Sequence, residues 1–264
     1  MRRPDPHSSA AYPQAGTVYL VGAGPGDPGL LTLRAADLLA AATVVFHDYL
    51  VSDGVLARCG SAARCVNVGK VGHGPQTAQD AIEALLIEAA TAGEVVVRLK
   101  GGDPLLFGRG AEEALALAAA DIPFEIVPGV SSALAVPAAA GIPVTARGVA
   151  TSVAIVTGHS LAGGPAPIPQ ADTIVVLMGV ASAAAIRDQL IATGVAADTP
   201  AAVIEWGTCE AQRTVTCSLA ELPECIARER LGAPATLVIG QVVGLRDRLV
   251  GRAEAALPLA AWQH

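Results

Sequence analysis

Three ionisable residues stand just behind apolar runs, two of them beside glycines: Asp48 in "TVVFHDYL", Lys70 in "CVNVGK" and Asp103 in "VVVRLKGGDP". An acid at the end of a buried strand can take a proton from a substrate or accept a hydrogen bond from a hydroxyl or an amine. A lysine in such a place can donate a proton as well as attract an anion, whereas arginine does only the second. The chain has two lysines, Lys70 and Lys100, against fifteen arginines, a bias that replaces lysine wherever charge alone matters. The two that remain are therefore informative. Read from the residues alone, Asp48 is a helix or turn cap, or the ribose-binding acid of a dinucleotide site. Lys70 is a proton donor or a solvated surface charge.

Three glycine-rich loops also stand out in the sequence. "GAGPGD" (22–27) follows an apolar strand and opens a helix, like the phosphate turn of a dinucleotide fold, but Asp27 stands where the third glycine of G-x-G-x-x-G is needed and Pro25 interrupts the turn. A plain strand–helix turn and an NAD site are both open at this point. "RLKGGDPLLFGRG" (98–110) presents Gly101, Gly102 and Asp103 at a strand end, where parallel α/β sheets bind ligands. Glycines there let backbone approach a ligand closely. In "VPGVSSALA" (127–135), Ser131 or Ser132 is a ligand hydroxyl or simply the N-cap of the next helix.

The elements that must hold these loops are strands alternating with helices rich in alanine and leucine. Strands are expected at "TVYLVGAG", "TVVFHD", "EVVVRLKGGD" and "PFEIVPG". Helices are expected at "LTLRAADLLAAA", "TAQDAIEALLIEAATAG" and "GRGAEEALALAAAD". That alternation indicates parallel α/β architecture. A proline-rich stretch, 127–148, holds one short helix and a crossover. Strands at "ATSVAIVTGH", "ADTIVVLMGV", "TPAAVIEWG" and "PATLVIGQVV" follow, with the helix "SAAAIRDQLIATG" and an antiparallel hairpin element near Thr208–Leu219. The expected organisation is a disordered tail (1–15), an N-terminal α/β domain (16–127), a C-terminal α/β domain (128–252) and a second tail (253–264), with the active-site cleft between the domains.

Composition narrows the function. A net charge of −7 and only eight aromatics argue against a nucleic-acid footprint or a base-stacking surface. No apolar run is long enough to span a membrane, and the start, "MRRPDPHSSAAYPQAG", lacks the apolar core of a signal peptide. Five cysteines without a C-x-x-C pair point to a reduced, cytoplasmic protein and give no support to a metal site.

The motifs also carry a family likeness. "YLVGAGPGDPGLLTLRA", "VVFHDYLVS", "VGKVGH", "VVVRLKGGDPLLFGRGAEE", "PFEIVPGVSSALA", "AGIPVTARG", "VTGH", "LMGV" and "PATLVIGQVV" occur in the order found in tetrapyrrole C-methyltransferases. The chain resembles them over about Thr17 to Leu249, with the nearest likeness to those acting on uroporphyrinogen III. Nothing in it resembles the dehydrogenase/ferrochelatase domain of fused sirohaem synthases.

This resemblance implies two α/β domains with S-adenosylmethionine (SAM) as co-substrate and S-adenosylhomocysteine (SAH) as product. It places the cofactor against Pro25, Gly101, Gly102, Asp103, Leu106, Ser131, Ser132, Met178, Gly207 and Ala235. It implies methylation of uroporphyrinogen III at C2 and C7 to give precorrin-2, for sirohaem or cobalamin, by a homodimer. Asp48 and Lys70 match the family's proton-transfer residues. Arg34, Arg109 and Arg147 are candidates for the eight substrate carboxylates, which suit arginine's two-pronged donors. Arg98 and Lys100 read instead as structural partners around the loop. Two positions depart from the family: Val71 where arginine is frequent, and Ala146 where T-H-R is frequent. Other readings are a methylase of a later corrin intermediate, a diphthamide-pathway or ribosomal-RNA methylase, an NAD-dependent oxidoreductase and a non-catalytic ligand-binding protein.

Overall fold

The computed structural model describes residues 12–69, 78–159 and 166–253. The chain divides into two compact units between Val130 and Ser131.

The first unit runs β1 (Thr17–Gly22), α1 (Leu33–Ala41), β2 (Val44–His47), α2 (Asp53–Leu56), β3 (Arg64–Asn67), α3 (Gln79–Thr91), β4 (Val95–Lys100), α4 (Gly110–Ala119) and β5 (Phe124–Val127). Its five strands form one sheet, ordered β3-β2-β4-β1-β5, and every pairing is parallel. Both faces of the central strands are covered, which is why β1 is buried at every position and reads as an unbroken apolar run. Tyr19 and Val21 point to the side of Leu38 and Leu39 on α1. Val18 and Leu20 point to the opposite side, where Leu86 of α3 and Leu117 of α4 pack. Thr32 caps α1, its Oγ1 accepting from the Ala35 amide at 3.2 Å.

This order fixes where a ligand belongs. β1 and β4 are neighbours, yet the helices that follow them, α1 and α4, lie on opposite faces. The loops leaving the two strands therefore part, and a crevice opens at their C-terminal ends.

The second unit runs α5 (Ser132–Ala139), β6 (Val153–Thr157), β7 (Thr173–Leu177), α6 (Ala183–Ala192), β8 (Pro200–Glu205), β9 (Arg213–Ser218), α7 (Leu222–Glu229), β10 (Ala235–Gly240) and α8 (Arg246–Ala253). Its sheet is ordered β6-β7-β10-β8-β9. The parallel architecture expected from the strand–helix alternation of the first half holds there, and this second sheet is mixed. β6 and β7 are parallel, but β10 runs antiparallel to both β7 and β8, and β9 antiparallel to β8. The β7–α6–β8 crossover keeps those two strands in one direction, and β10 enters between them the other way. An apolar run reports burial, not direction, so the sequence pattern could not show this. The antiparallel element expected near Thr208–Leu219 is β9. Ile186 and Leu190 of α6 and Leu222 and Ile226 of α7 cover one face of this sheet. Val136 of α5 packs on the other, with Ala202, Ile204 and Val238.

Candidate functional site

The crevice of the first unit is made by glycines from three strand ends. A Cβ on Gly22, at the end of β1, would lie 2.5 Å from the Gly129 Cα and 2.6 Å from the Gly102 carbonyl oxygen. A Cβ on Gly129 would overlap that same carbonyl. The loops after β1 and β4 are also joined directly: the Gly24 amide donates to the Gly102 carbonyl at 3.2 Å, and the Gly102 amide to the Gly24 carbonyl at 2.7 Å. The first glycine-rich turn thus serves backbone-to-backbone packing.

Asp27 explains the missing third glycine. Its carboxylate caps a short 3-10 turn, Pro28–Leu30, accepting from the Gly29 amide at 2.7 Å. A side chain that closes the helix start with its own acceptor is the reverse of a pyrophosphate cradle, which needs those amides open. Pro25 lies half-buried in the same turn, whose Gly26 carbonyl accepts from the Ser52 hydroxyl at 2.7 Å.

In the second loop, Gly101 is exposed and a Cβ there would meet nothing within 4 Å. Asp103 is a staple: its two carboxylate oxygens accept from the Leu105 amide at 2.9 Å and the Gly129 amide at 3.1 Å. Leu106 is half-buried, between the exposed Leu105 and Phe107.

Asp48 follows β2 and stands beside this loop. One of its oxygens accepts from Arg98 Nη2 at 2.5 Å, and the other from the Gly101 amide at 3.4 Å. Arg98 is buried in β4 and also donates through Nε to Glu113 Oε1 at 3.0 Å. Lys100 Nζ reaches that same oxygen at 2.9 Å, and Gln79 Nε2 at 3.3 Å. Burial, followed by the neighbouring Arg98 cation, lowers the Lys100 ammonium below its ordinary pKa, while Glu113 and Asp48 oppose the shift. Two acids and two bases thus share one site under the sheet, and Arg98 and Lys100 are the structural partners around the loop that the sequence suggested.

Such a network depends on every member. Glu113→Gln would leave two buried cations with only Asp48 of the two carboxylates. We expect this change to lower the free energy of unfolding by about 3–5 kcal/mol, the range for breaking a buried ion pair from one side. Urea denaturation at unchanged m measures it, and a loss below about 1 kcal/mol would show the carboxylate to be dispensable.

Lys70, and with it Val71, lies outside the described residues. Gly69, the last residue before it, is pressed against the Asp48–Tyr49 peptide, where a Cβ would lie 2.9 Å from the Asp48 carbonyl carbon. The chain therefore reaches the Asp48 turn immediately before Lys70.

The three candidate arginines differ. Arg34 is engaged twice by Glu125 of β5, at 2.7 and 3.1 Å, and lies over the Tyr19 ring. Arg109, in a left-handed conformation before α4, pairs with Glu112 at 2.6 Å and is exposed. Arg147 is exposed on a turn of the second unit, with no ion-pair partner among the described residues. Ala146, in that turn, pairs with Ala150.

The second unit gathers its own candidates at one end of its sheet. Leu177 pairs with Thr236 and Glu205 with Ala235, so Met178, Ala235 and Gly207 stand at neighbouring strand ends. Gly207 fits against Val136, where a Cβ would overlap a methyl. Ser131 is the N-cap of α5, its hydroxyl accepting from the Ala133 amide at 3.2 Å, and Ser132 is the first helical residue. Met178 has φ 56° and Trp206, just after β8, φ 48°, conformations that cost a side chain energy, and both remain exposed. The strained, exposed Trp206 was not among the residues singled out from the sequence. Its signal was an aromatic beside a glycine in "EWG", in a chain with few aromatics.

Among the described residues no group of three or more His, Cys, Asp or Glu could hold a metal ion, and no helix is long and apolar enough to cross a membrane.

Comparison with known proteins gives consistent relatives. The model for Tetrapyrrole (Corrin/Porphyrin) Methylases matches residues 17–223. A sirohaem synthase from Pseudomonas fluorescens (strain Pf0-1) is 48% identical over 240 residues, covering 89% of this chain and 52% of that protein. The chain spans about half the length of the curated relatives it matches. A uroporphyrin-III-C-methyltransferase structure from Thermus thermophilus superposes with a TM-score of 0.78 at 44% identity, covering 89% of this chain and 98% of that one. Another from the same organism, complexed with SAH, gives 0.75 at 41% identity, covering 87% and 99%.

Proposed function

Because the chain belongs to the tetrapyrrole (corrin/porphyrin) methylase family, we propose that it moves methyl groups from SAM to C2 and C7 of uroporphyrinogen III, giving precorrin-2. The observation that carries this reading is the crevice at the ends of β1 and β4. There an exposed glycine backbone, Gly101, adjoins a partly exposed carboxylate, Asp48. The turn that would otherwise suggest NAD is closed by Asp27.

SAM supplies an electrophilic methyl group on a sulfonium leaving group. The residues of this chain do the rest. Gly101 and Gly102 present backbone to the cofactor, with Asp103 holding their loop to Gly129. Pro25 and Leu106 flank them. In the second unit, Ser131, Ser132, Met178, Gly207 and Ala235 are the residues that the family likeness names for the cofactor. Once the pyrrole carbon has attacked and SAH has left, the macrocycle carries the positive charge of the added methyl, and Asp48 takes the proton whose loss restores neutrality; Lys70 is the second proton-transfer group, with one proton leaving the macrocycle for each methyl gained. The position of Gly69 against the Asp48 turn supports placing both at one site. Arg147 is the best supported carboxylate partner. Arg109 shares its charge with Glu112, and the Arg34 fork is engaged by Glu125.

The test is methyl transfer from labelled SAM to uroporphyrinogen III without air, with titration of SAH and NAD alongside. We expect turnover, SAH binding and no NAD binding. SAH binding without turnover would move the substrate to a later corrin intermediate, and NAD binding without SAH would end the reading.

We further read the protein as a cytoplasmic homodimer. Its five cysteines, odd in number and without a C-x-x-C pair, support a reducing compartment. A light-scattering mass staying at 26.4 kDa at micromolar concentration would exclude the dimer.

A further inference from the structure

We propose that Arg98 is a positioning residue for methyl transfer, holding the Asp48 carboxylate in one orientation against the Gly101 loop. The inference rests on the reading of Asp48 as the proton-transfer group.

The guanidinium has no freedom to turn. Nε is held by Glu113, Nη2 by Asp48, and Nη1 faces the carbonyl oxygens of Phe46 and Leu99 at 3.4 and 3.3 Å. Every nitrogen of the guanidinium has a partner, and the residue is only 3% exposed. Glu113, fully buried, spends one oxygen on Arg98, Lys100 and Gln79, while its other oxygen has no hydrogen-bond partner among the described residues. Lys100 balances the second carboxylate, so the four formal charges cancel.

A network kept only for stability would be an uneconomical choice, since buried charges are often replaced by apolar side chains without loss. This one has a wet end. Asp48 is 32% exposed, against 3% or less for the other three charged members. It emerges at the C-terminal strand edge, with its second oxygen turned to Gly101. β4 thus carries the support, Arg98 and Lys100, and the cofactor loop itself on consecutive residues. The buried charges fix the angle at which the exposed carboxylate meets whatever lies on that loop.

Arg98→Lys separates positioning from charge. Lysine keeps the cation for Glu113 but lacks the fork that reaches Glu113, Asp48 and two carbonyls together. We expect kcat to fall roughly 10- to 100-fold, the cost of a misplaced group. SAH affinity and KM for SAM should stay within about threefold, as for an interaction made only in the transition state.

The deciding measurement repeats Arg98→Lys in an Asp48→Asn background, read by single-turnover methyl transfer. If Arg98 acts through Asp48, the substitution costs nothing further there. An equal fold loss in both backgrounds, or a loss of SAH affinity matching the loss of kcat, would overturn the proposal. Should Arg98→Lys not fold, the combined Arg98→Met, Glu113→Leu and Lys100→Met variant removes all three buried charges at conserved bulk. It should bind SAH and show the same kcat deficit, and wild-type kcat in either folded variant refutes the positioning role. Failure of the underlying reading looks different: Asp48→Asn alone would then keep wild-type kcat.

Discussion

Asp48→Asn should lower methyl transfer by roughly 10²- to 10⁴-fold, the usual range for losing a general acid–base group, with little change in SAH affinity. Asparagine keeps the shape and one acceptor oxygen, which Arg98 retains; its amide nitrogen cannot accept from the Gly101 amide, so only that long 3.4 Å contact is lost with the charge. What disappears is the ability to take a proton. The residue is one-third exposed and stands one hydrogen bond from the glycine loop, so it can reach a ligand without the loop moving. The rival assignment, an acid that grips a ribose, makes the opposite forecast: weak cofactor affinity, and turnover recovered at saturating SAM. Titrating SAM against the variant separates them, and recovered turnover would refute the base. The fold loss should come wholly in kcat, since an interaction absent from the ground state leaves binding untouched.

The parts of this site that were legible in the sequence are those built from neighbours in the chain. A buried strand followed by glycines gives β1 with its turn and β4 with its loop, because parallel strands covered on both faces are apolar throughout. Asp48 and Asp103 were visible for the same reason, each sitting just past such a run. The partners of these residues were not visible. Glu113 lies thirteen residues beyond Lys100 on the next helix, and Asp48 meets Arg98 fifty residues away. Those contacts exist only once β2 and β4 are side by side.

The same holds for the glycines. Gly22, Gly102 and Gly129 look like three separate turns in the sequence and prove to be one contact. Asp27 looked like a spoiled fingerprint and is a cap. In the second unit the strands were legible but the insertion of β10 was not. Direction is set by how the chain returns after α7, whose apolar stripe Leu222, Cys225 and Ile226 reports a buried face and not the direction of the strand that follows.

Gly101→Val should abolish cofactor binding in a folded protein, whereas Gly129→Ala should damage the fold itself. The two glycines flank the same loop and are required for different reasons. At Gly129 a single methyl would overlap the Gly102 carbonyl and press on Gly22, backbone atoms that cannot swing away. The strand ends of β1, β4 and β5 would have to part, which breaks the Gly24–Gly102 pairing and the Asp103 staple together. Overpacking of this kind costs typically about 1–3 kcal/mol, so Gly129→Ala should melt earlier and bind SAH weakly. At Gly101 a Cβ meets nothing, and its φ is not among the positive ones that disfavour side chains. Valine there should leave the melting temperature close to wild type. Its branched side chain would occupy the space over the loop that a cofactor needs, and its bulk next to Asp48 would keep the ligand from the backbone. A loss of SAH affinity of about 100-fold or more corresponds to roughly 2.7 kcal/mol of binding free energy. Isothermal titration with SAH, paired with thermal melts of both variants, reads the contrast. Wild-type SAH affinity in a folded Gly101→Val protein would remove this loop from the cofactor site, and would leave its glycines explained by the packing of Gly22, Gly102 and Gly129 alone.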